Sequence, residues 1–156
     1  MRVLLDIGED AGEDRLRSML EANGQEVVRA GSRGEELVAF IGGAEHLHAA
    51  VVSQVSLGKK WPRLLRQIRK QAPRLPVVLL LGPRADRTWR LAILAGAFEA
   101  VPASAPEAAM QALSRALGYV VGKAVGELFI TGTPSEMMEQ SVAESMTHQA
   151  AVASRH

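Results

Sequence analysis

Pro76-Val77-Val78-Leu79-Leu80-Leu81 runs for six residues without a polar side chain. It is too short for a buried helix and too apolar for a strand with one wet face. Such a run fits a central strand of a sheet covered on both sides. Four weaker apolar runs accompany it: Val3-Leu4-Leu5 ending near Gly8, Glu26 to Ala30, His48 to Ser53 and Phe98 to Val101. Helical patterns lie between them. Leu16, Met19 and Leu20 are spaced as a helix over about Glu13 to Asn23, with Gly24 as its stop. Ser32 is placed to cap a helix carrying Leu37, Val38 and Ile41, which Gly42-Gly43 ends. Pro62 is expected to open a helix whose apolar face is Leu64, Leu65 and Ile68. Asp86 to Leu94 is expected to be helical up to Gly96, and Pro106 starts a helix through Met110, Leu113 and Leu117.

Five strands alternating with five helices predict an α/β fold. The simplest form is a flavodoxin-like, doubly wound, five-stranded parallel sheet of order 2-1-3-4-5, with a helical C-terminal extension. The 156 residues exceed one such domain, which predicts a domain over 1–118 and an extension over 119–156 with a frayed tail. With no cysteine, thiol catalysis, disulfides and cysteine–metal sites are excluded. The chain has neither a basic secretory start nor an apolar run of about 18–20 residues, so a cytoplasmic protein away from membranes is expected.

The net charge of +1 conceals a segregation. Residues 1–36 carry nine acids and five bases, whereas 59–90 carry ten of the eighteen bases and one acid, Asp86. Such a dipole can orient an encounter with another protein or a second copy. Around Trp61 the basic segment lacks interleaved aromatics, and no helix-turn-helix is recognisable, so direct nucleic-acid binding is not expected.

Four local patterns, in this order and spacing, carry a family resemblance. They are Leu20-Glu21-Ala22-Asn23-Gly24-Gln25-Glu26-Val27, Leu64-Leu65-Arg66-Gln67-Ile68-Arg69, Leu75-Pro76-Val77-Val78-Leu79-Leu80 and Ala95-Gly96-Ala97-Phe98-Glu99-Ala100-Val101-Pro102. Over roughly residues 1–118 the chain resembles the receiver (CheY-like) domains of response regulators. That resemblance implies a phosphorylation pocket: an acidic pair for Mg²⁺ after the first strand, an acceptor aspartate ending the third, a Thr or Ser ending the fourth and a Lys after the fifth. A carboxylate nucleophile, a hard cation and a positive charge on the transferred group are the physical needs of that chemistry. Without gaps, Ile7 and Gly8 fall at the acidic pair, Ser53 at the acceptor, Leu81 at the Thr/Ser position and Ala103 at the Lys. Ala100 stands where many receivers carry a switch aromatic. A register slip brings Glu9 and Asp10 near the acidic pair, but no slip of one or two residues supplies an aspartate near 53.

The resemblance is therefore to a degenerate, or pseudo-receiver, member, with no catalytic residue and no cofactor expected. Ser53 is expected to cap a strand end, since a serine without a neighbouring base is a poor nucleophile. The acidic run Glu9, Asp10, Glu13 and Asp14 is expected at a helix N-terminus, favoured by the dipole. His46 and His48 could face one side of a strand as two ligands but lack a third, so no metal site is expected.

In the extension, Met110, Leu113, Leu117, Val120, Ala124 and Leu128 recur at spacings of 3 and 4, close to a heptad seam. Gly118, Gly122 and Gly126 form a small-residue stripe at fourfold spacing. The last helix is expected to run on and to offer that seam for dimerisation or for linkage to an effector domain. Pseudo-receivers occur in enhancer-binding transcription activators and in pilus-assembly ATPases. The resemblance thus implies a signalling module working through protein–protein contacts, in transcription regulation for preference. A second reading places a small molecule at the carboxyl edge of the sheet, where Ile7, Leu81 and Ala103 would suit an uncharged ligand. No nucleophile–base pair is visible, which makes an enzyme the least expected class.

Overall fold

The computed structural model describes residues 1–8 and 11–131, with side chains described through Tyr119. Contacts divide the chain into Met1–Gly118 and Tyr119–His156. In the first unit five strands, β1 (Arg2–Asp6), β2 (Glu26–Val28), β3 (Ala49–Ser53), β4 (Val77–Leu81) and β5 (Glu99–Pro102), form one sheet of order β2-β1-β3-β4-β5. Every pairing is parallel, with Leu4 opposite Val28 and Ala50, Val52 opposite Leu79, and Leu80 opposite Val101. The helices are α1 (Ala11–Ala22), α2 (Gly34–Gly43), α3 (Gln54–Leu57), α4 (Trp61–Gln71), α5 (Ala85–Ala95) and α6 (Pro106–Thr131). Of the second unit, the described part is helical, from Tyr119 to Thr131.

The period of two along a strand divides the core into two layers. Leu4, Val52, Leu79 and Leu81 join the α2, α4 and α5 side chains Leu37, Ile41, Leu65, Ile68 and Ala92. Val3, Leu5, Val51 and Leu80 join Leu16 and Leu20 of α1 and Ala109, Ala112 and Leu113 of α6. Both layers are buried, which is why β3 and β4 contain no charged residue. Arg115 of α6 reaches back to Glu99 of β5, donating from Nε to Oε2 at 2.8 Å. That hydrogen bond raises the guanidinium above its ordinary pKa; desolvation opposes it, and the negative charge of Glu99 adds to it.

The ends of α5 show how the sequence sets an element. Gly96 takes a left-handed backbone, φ +112°, after the last turn. Its N–H bonds to the Ile93 carbonyl at 3.1 Å, and Ala97 N–H bonds to the Ala92 carbonyl at 3.0 Å. A side chain there would be strained by the backbone and would meet the Arg69 side chain at 3.2 Å.

Several elements differ from expectation. Strand β2 ends at Val28, and Ser32 does not cap α2. The chain turns at Gly31 and Gly34, both at positive φ, so the cap position falls to Arg33, which makes no side-chain cap bond. Ser32 Oγ instead donates to the Ala30 carbonyl at 3.3 Å. The short helix α3 follows β3 without a loop, and α4 begins at Trp61 with Pro62 in its first turn.

The largest correction concerns the apolar seam of the last helix. Leu113 is only 1% exposed and belongs to the sheet core; Met110 and Leu117 are partly buried against the same layer. Alanines at 109, 112 and 116 let α6 lie close to the sheet, and the seam's first half is thereby covered within the chain. The helix does run on without a break to Thr131. The side chains of Val120, Ala124 and Leu128 lie outside the described residues, as do Glu9 and Asp10. No helix among the described residues is long and apolar enough to cross a membrane.

Candidate functional site at the carboxyl end of the sheet

Parallel strands end together at the carboxyl edge, and the loops that follow them converge there. A cavity of about 560 Å³ opens at this edge on the α1/α6 side, and Ile7, Ser53 and Ala103 all border it. The structure thus brings together three of the five positions assigned from the resemblance. Leu81 is not among them. Alternation along β4 sends Leu80 to the cavity and Leu81 into the opposite layer, where it is 1% exposed. Leu81 does end β4, but its side chain serves the core. Gly8 supplies a turn after β1 at φ +95°, a conformation that an acidic side chain would adopt only with strain.

Ser53 is the N-cap of α3. Its Oγ accepts the Ser56 N–H at 3.0 Å and lies 3.2 Å from the Ile7 carbonyl and 3.1 Å from the Ser56 hydroxyl. The hydroxyl is 5% exposed with its residue and has no imidazole or carboxylate among these partners. It therefore works as a structural cap, joining the end of β1 to the end of β3. Gln54 has a similar role toward β4, its Oε1 accepting the Gly82 N–H at 2.6 Å. That N–H borders the cavity, and the side-chain amide occupies it from within the fold. Ala103, at the position the resemblance gives to a lysine, is exposed; its backbone N–H bonds to the Leu81 carbonyl at 2.9 Å.

The acids near β1 are also engaged or turned away. Glu13 and Asp14 stand in the first turn of α1, as expected, and Glu13 is 2% exposed. Its Oε1 pairs with Arg29 at 2.7 Å and Arg17 at 3.1 Å, and its Oε2 accepts the Ile7 N–H at 3.3 Å. Asp6 ends β1 on the strand face opposite Leu5, and its Oδ2 is buried without a hydrogen-bond partner among the described residues. Sequence reading overlooked Asp6. A polar residue closing an apolar strand was the available signal. It also overlooked Arg15 and Val55, which border the cavity from α1 and α3. Arg15 pairs with Glu107 at 2.7 Å across to α6.

The His46–His48 pair is not assembled as two ligands. His48 Nδ1 accepts the Arg2 N–H at 2.9 Å, which places its proton on Nε2. His46 sits at positive φ, exposed beside Glu45. Among the described residues no three His, Asp or Glu side chains cluster as metal ligands.

Neither a family profile nor a curated protein sequence matches the chain. Solved structures do match. A receiver domain from Clostridium thermocellum aligns with a TM-score of 0.61 over 79% of this chain and 95% of its own, at 24% identity. A CheY-like receiver from Methanospirillum hungatei JF-1 gives 0.64 over 78% and 97%, at 22% identity. The chain has the receiver fold. NtrX from Brucella abortus, solved with ADP, aligns at 0.64 and 24% identity over 88% of this chain but only 32% of its own length. The isolated NtrX receiver domain aligns over 74% of this chain and 98% of its own.

Proposed function

We propose that the chain is a pseudo-receiver: a signalling module that carries the receiver fold but works through protein contacts without accepting a phosphoryl group. The observation that carries this reading is Ser53, a buried helix cap where the acceptor carboxylate would stand. Phosphoryl transfer to a receiver needs a carboxylate nucleophile, oxygen ligands for a cation and a cation on the transferred group. Here Ile7, Gly8, Ser53 and Ala103 occupy the corresponding places, Glu13 is held by two arginines, and Gln54 covers the Gly82 amide.

The output surface we favour is α5. Its Trp89, Leu91, Ile93 and Leu94 are exposed, Leu94 to 74%, among the exposed Arg84, Arg87 and Arg90. Trp89 and Ile93, four residues apart, and Leu91 and Leu94, three apart, form two exposed apolar strips that favour a protein contact, and the arginines among them favour a partner with acidic groups. A second copy is the partner we favour, since the exposed Asp14, Glu21, Glu26, Glu35 and Glu36 supply complementary acids. The alternative partner is an effector domain in a transcription regulator. NtrX supports that setting by analogy, because the longer protein matches a larger share of this chain than its isolated receiver does, 88% against 74%. We place the protein in the cytoplasm.

The test is incubation of the full chain with acetyl phosphate and Mg²⁺, read by intact mass. An unmodified mass is expected, and one added phosphoryl group overturns the reading. Size-exclusion with light scattering on the same sample reads the partner: a dimer is expected, and a monomer at every concentration removes the second copy.

A further inference from the structure

We propose that the cavity at the carboxyl end of the sheet binds an uncharged, largely apolar small molecule with one hydrogen-bonding end. The reading of the chain as a pseudo-receiver does not depend on it. The cavity's volume of about 560 Å³ falls among those of small-molecule sites, roughly 300–1,000 Å³. Its wall is apolar where the α1/α6 layer of the core ends: Ile7 just after β1, Leu16 from α1, Leu80 from β4 and Ala109 from α6. Pro106 and Ala103 continue that wall toward the mouth.

The polar groups on the wall decide the ligand's charge. Gly82 N–H bonds to Gln54, and the Ser53 hydroxyl lies among Ile7 and Ser56. Arg15 is the charged residue of the wall, and its guanidinium is 2.7 Å from Glu107. The pair is locally neutral, so an anion arriving at Arg15 meets the Glu107 carboxylate as well. An anion would also exchange bulk water for apolar walls without a free cation to receive it, which is costly. Only the Ser104 hydroxyl, at the rim, is a side-chain polar group of the wall without a partner among the described residues. It can donate to or accept from one neutral polar end.

A second observation points to an occupant. Val55 stands on the cavity rim with 68% of its surface exposed. It is an apolar side chain placed outward in a helix of four residues, between the buried Ser53 and Ser56. A ligand lying between Val55 and Ser104 would cover it and extend over Leu80 and Ala109. Ligand in this place touches both α1 and α6, which Arg15 and Glu107 already join.

The full chain, labelled with ¹⁵N, is titrated with 1-naphthol and with indole, then with their carboxylates 1-naphthoate and indole-3-carboxylate, and with inorganic phosphate. The neutral probes should give saturable shifts at the amides of Ile7, Val55, Leu80 and Gly82. The carboxylates should bind about tenfold more weakly or worse, because their charge must be desolvated. Ala103→Trp at the exposed rim should reduce neutral-probe affinity by about tenfold by filling the mouth. Val55→Asp, which changes a surface position, carries the same test if the first variant fails to fold. Absence of saturable shifts for both neutral probes, shifts confined to Trp89 and its neighbours, or equal or tighter binding of the anions would each overturn the proposal. An acetyl-phosphate adduct would overturn the pseudo-receiver reading and leave this titration to stand or fall alone.

Discussion

Replacing Glu13 by alanine removes the one buried acid that ties three parts of the domain together. Its carboxylate is 3% exposed, bonds Arg17 within α1, bonds Arg29 beyond β2, and accepts the Ile7 N–H at the end of β1. Truncating one member of a fully buried pair costs about 3–5 kcal/mol, chiefly because the remaining charge is stranded. Arg17 and Arg29 are 28% and 47% exposed and would rehydrate, so that upper range does not apply. What remains is the loss of charge-assisted hydrogen bonds and an unpaired Ile7 N–H, together about 2–3 kcal/mol. With a urea m-value of about 1.5 kcal/mol/M, the midpoint should fall by about 1.3–2 M, followed by circular dichroism. Glu13→Gln keeps an acceptor in place and should lose about half as much. A cycle with Arg29→Met should give a coupling of about 1–2 kcal/mol. A loss below about 0.5 kcal/mol for Glu13→Ala, the scale of an ordinary surface change, would refute the assignment of this carboxylate as a structural junction.

Three further outcomes follow from the same structure. Gly96→Ala should destabilise by about 1–2 kcal/mol, seen as a lower thermal midpoint, because its φ of +112° is left-handed and its Cβ would crowd Arg69. Ser53→Ala should cost about 1 kcal/mol through loss of the α3 cap, and chemical denaturation would show no change if the hydroxyl did not cap. Leu94→Arg should leave stability within about 0.5 kcal/mol, since the side chain is 74% exposed, while converting a dimer to monomer in light scattering.

Much of the fold was legible because parallel strands buried on both faces leave a strong mark. Val77 to Leu81 and Ala49 to Val52 could hardly be anything else, and Gly96 announced the end of α5. What escaped was set by contacts distant in sequence or by elements too short for a period. Four residues of α3 complete barely one turn, so Ser53 capped a helix that no periodicity could reveal. The spacing of Met110, Leu113 and Leu117 predicted an apolar stripe correctly, but a stripe does not say whether a sheet or another helix covers it. Leu81 was located along β4 by alignment, and the alternation that points it away from the cavity was left out. The sequence placed Glu13 at the start of α1, but its burial was hidden because its partner Arg29 lies beyond β2.

The bond from Gln54 to Gly82 bears on how such a pocket changes over generations. A chain that gained only an aspartate at 53 would keep a capping oxygen for α3 but set a carboxylate against the Ile7 carbonyl. The Gly82 amide would still be occupied, position 103 would still lack a cation, and Gly8 would still hold a left-handed turn. A cation at the exposed position 103 would leave stability nearly unchanged, whereas a side chain at Gly8 would strain its φ of +95°. On our reading, a phosphorylated pocket would need several of these changes together, and the one at Gly8 would cost stability.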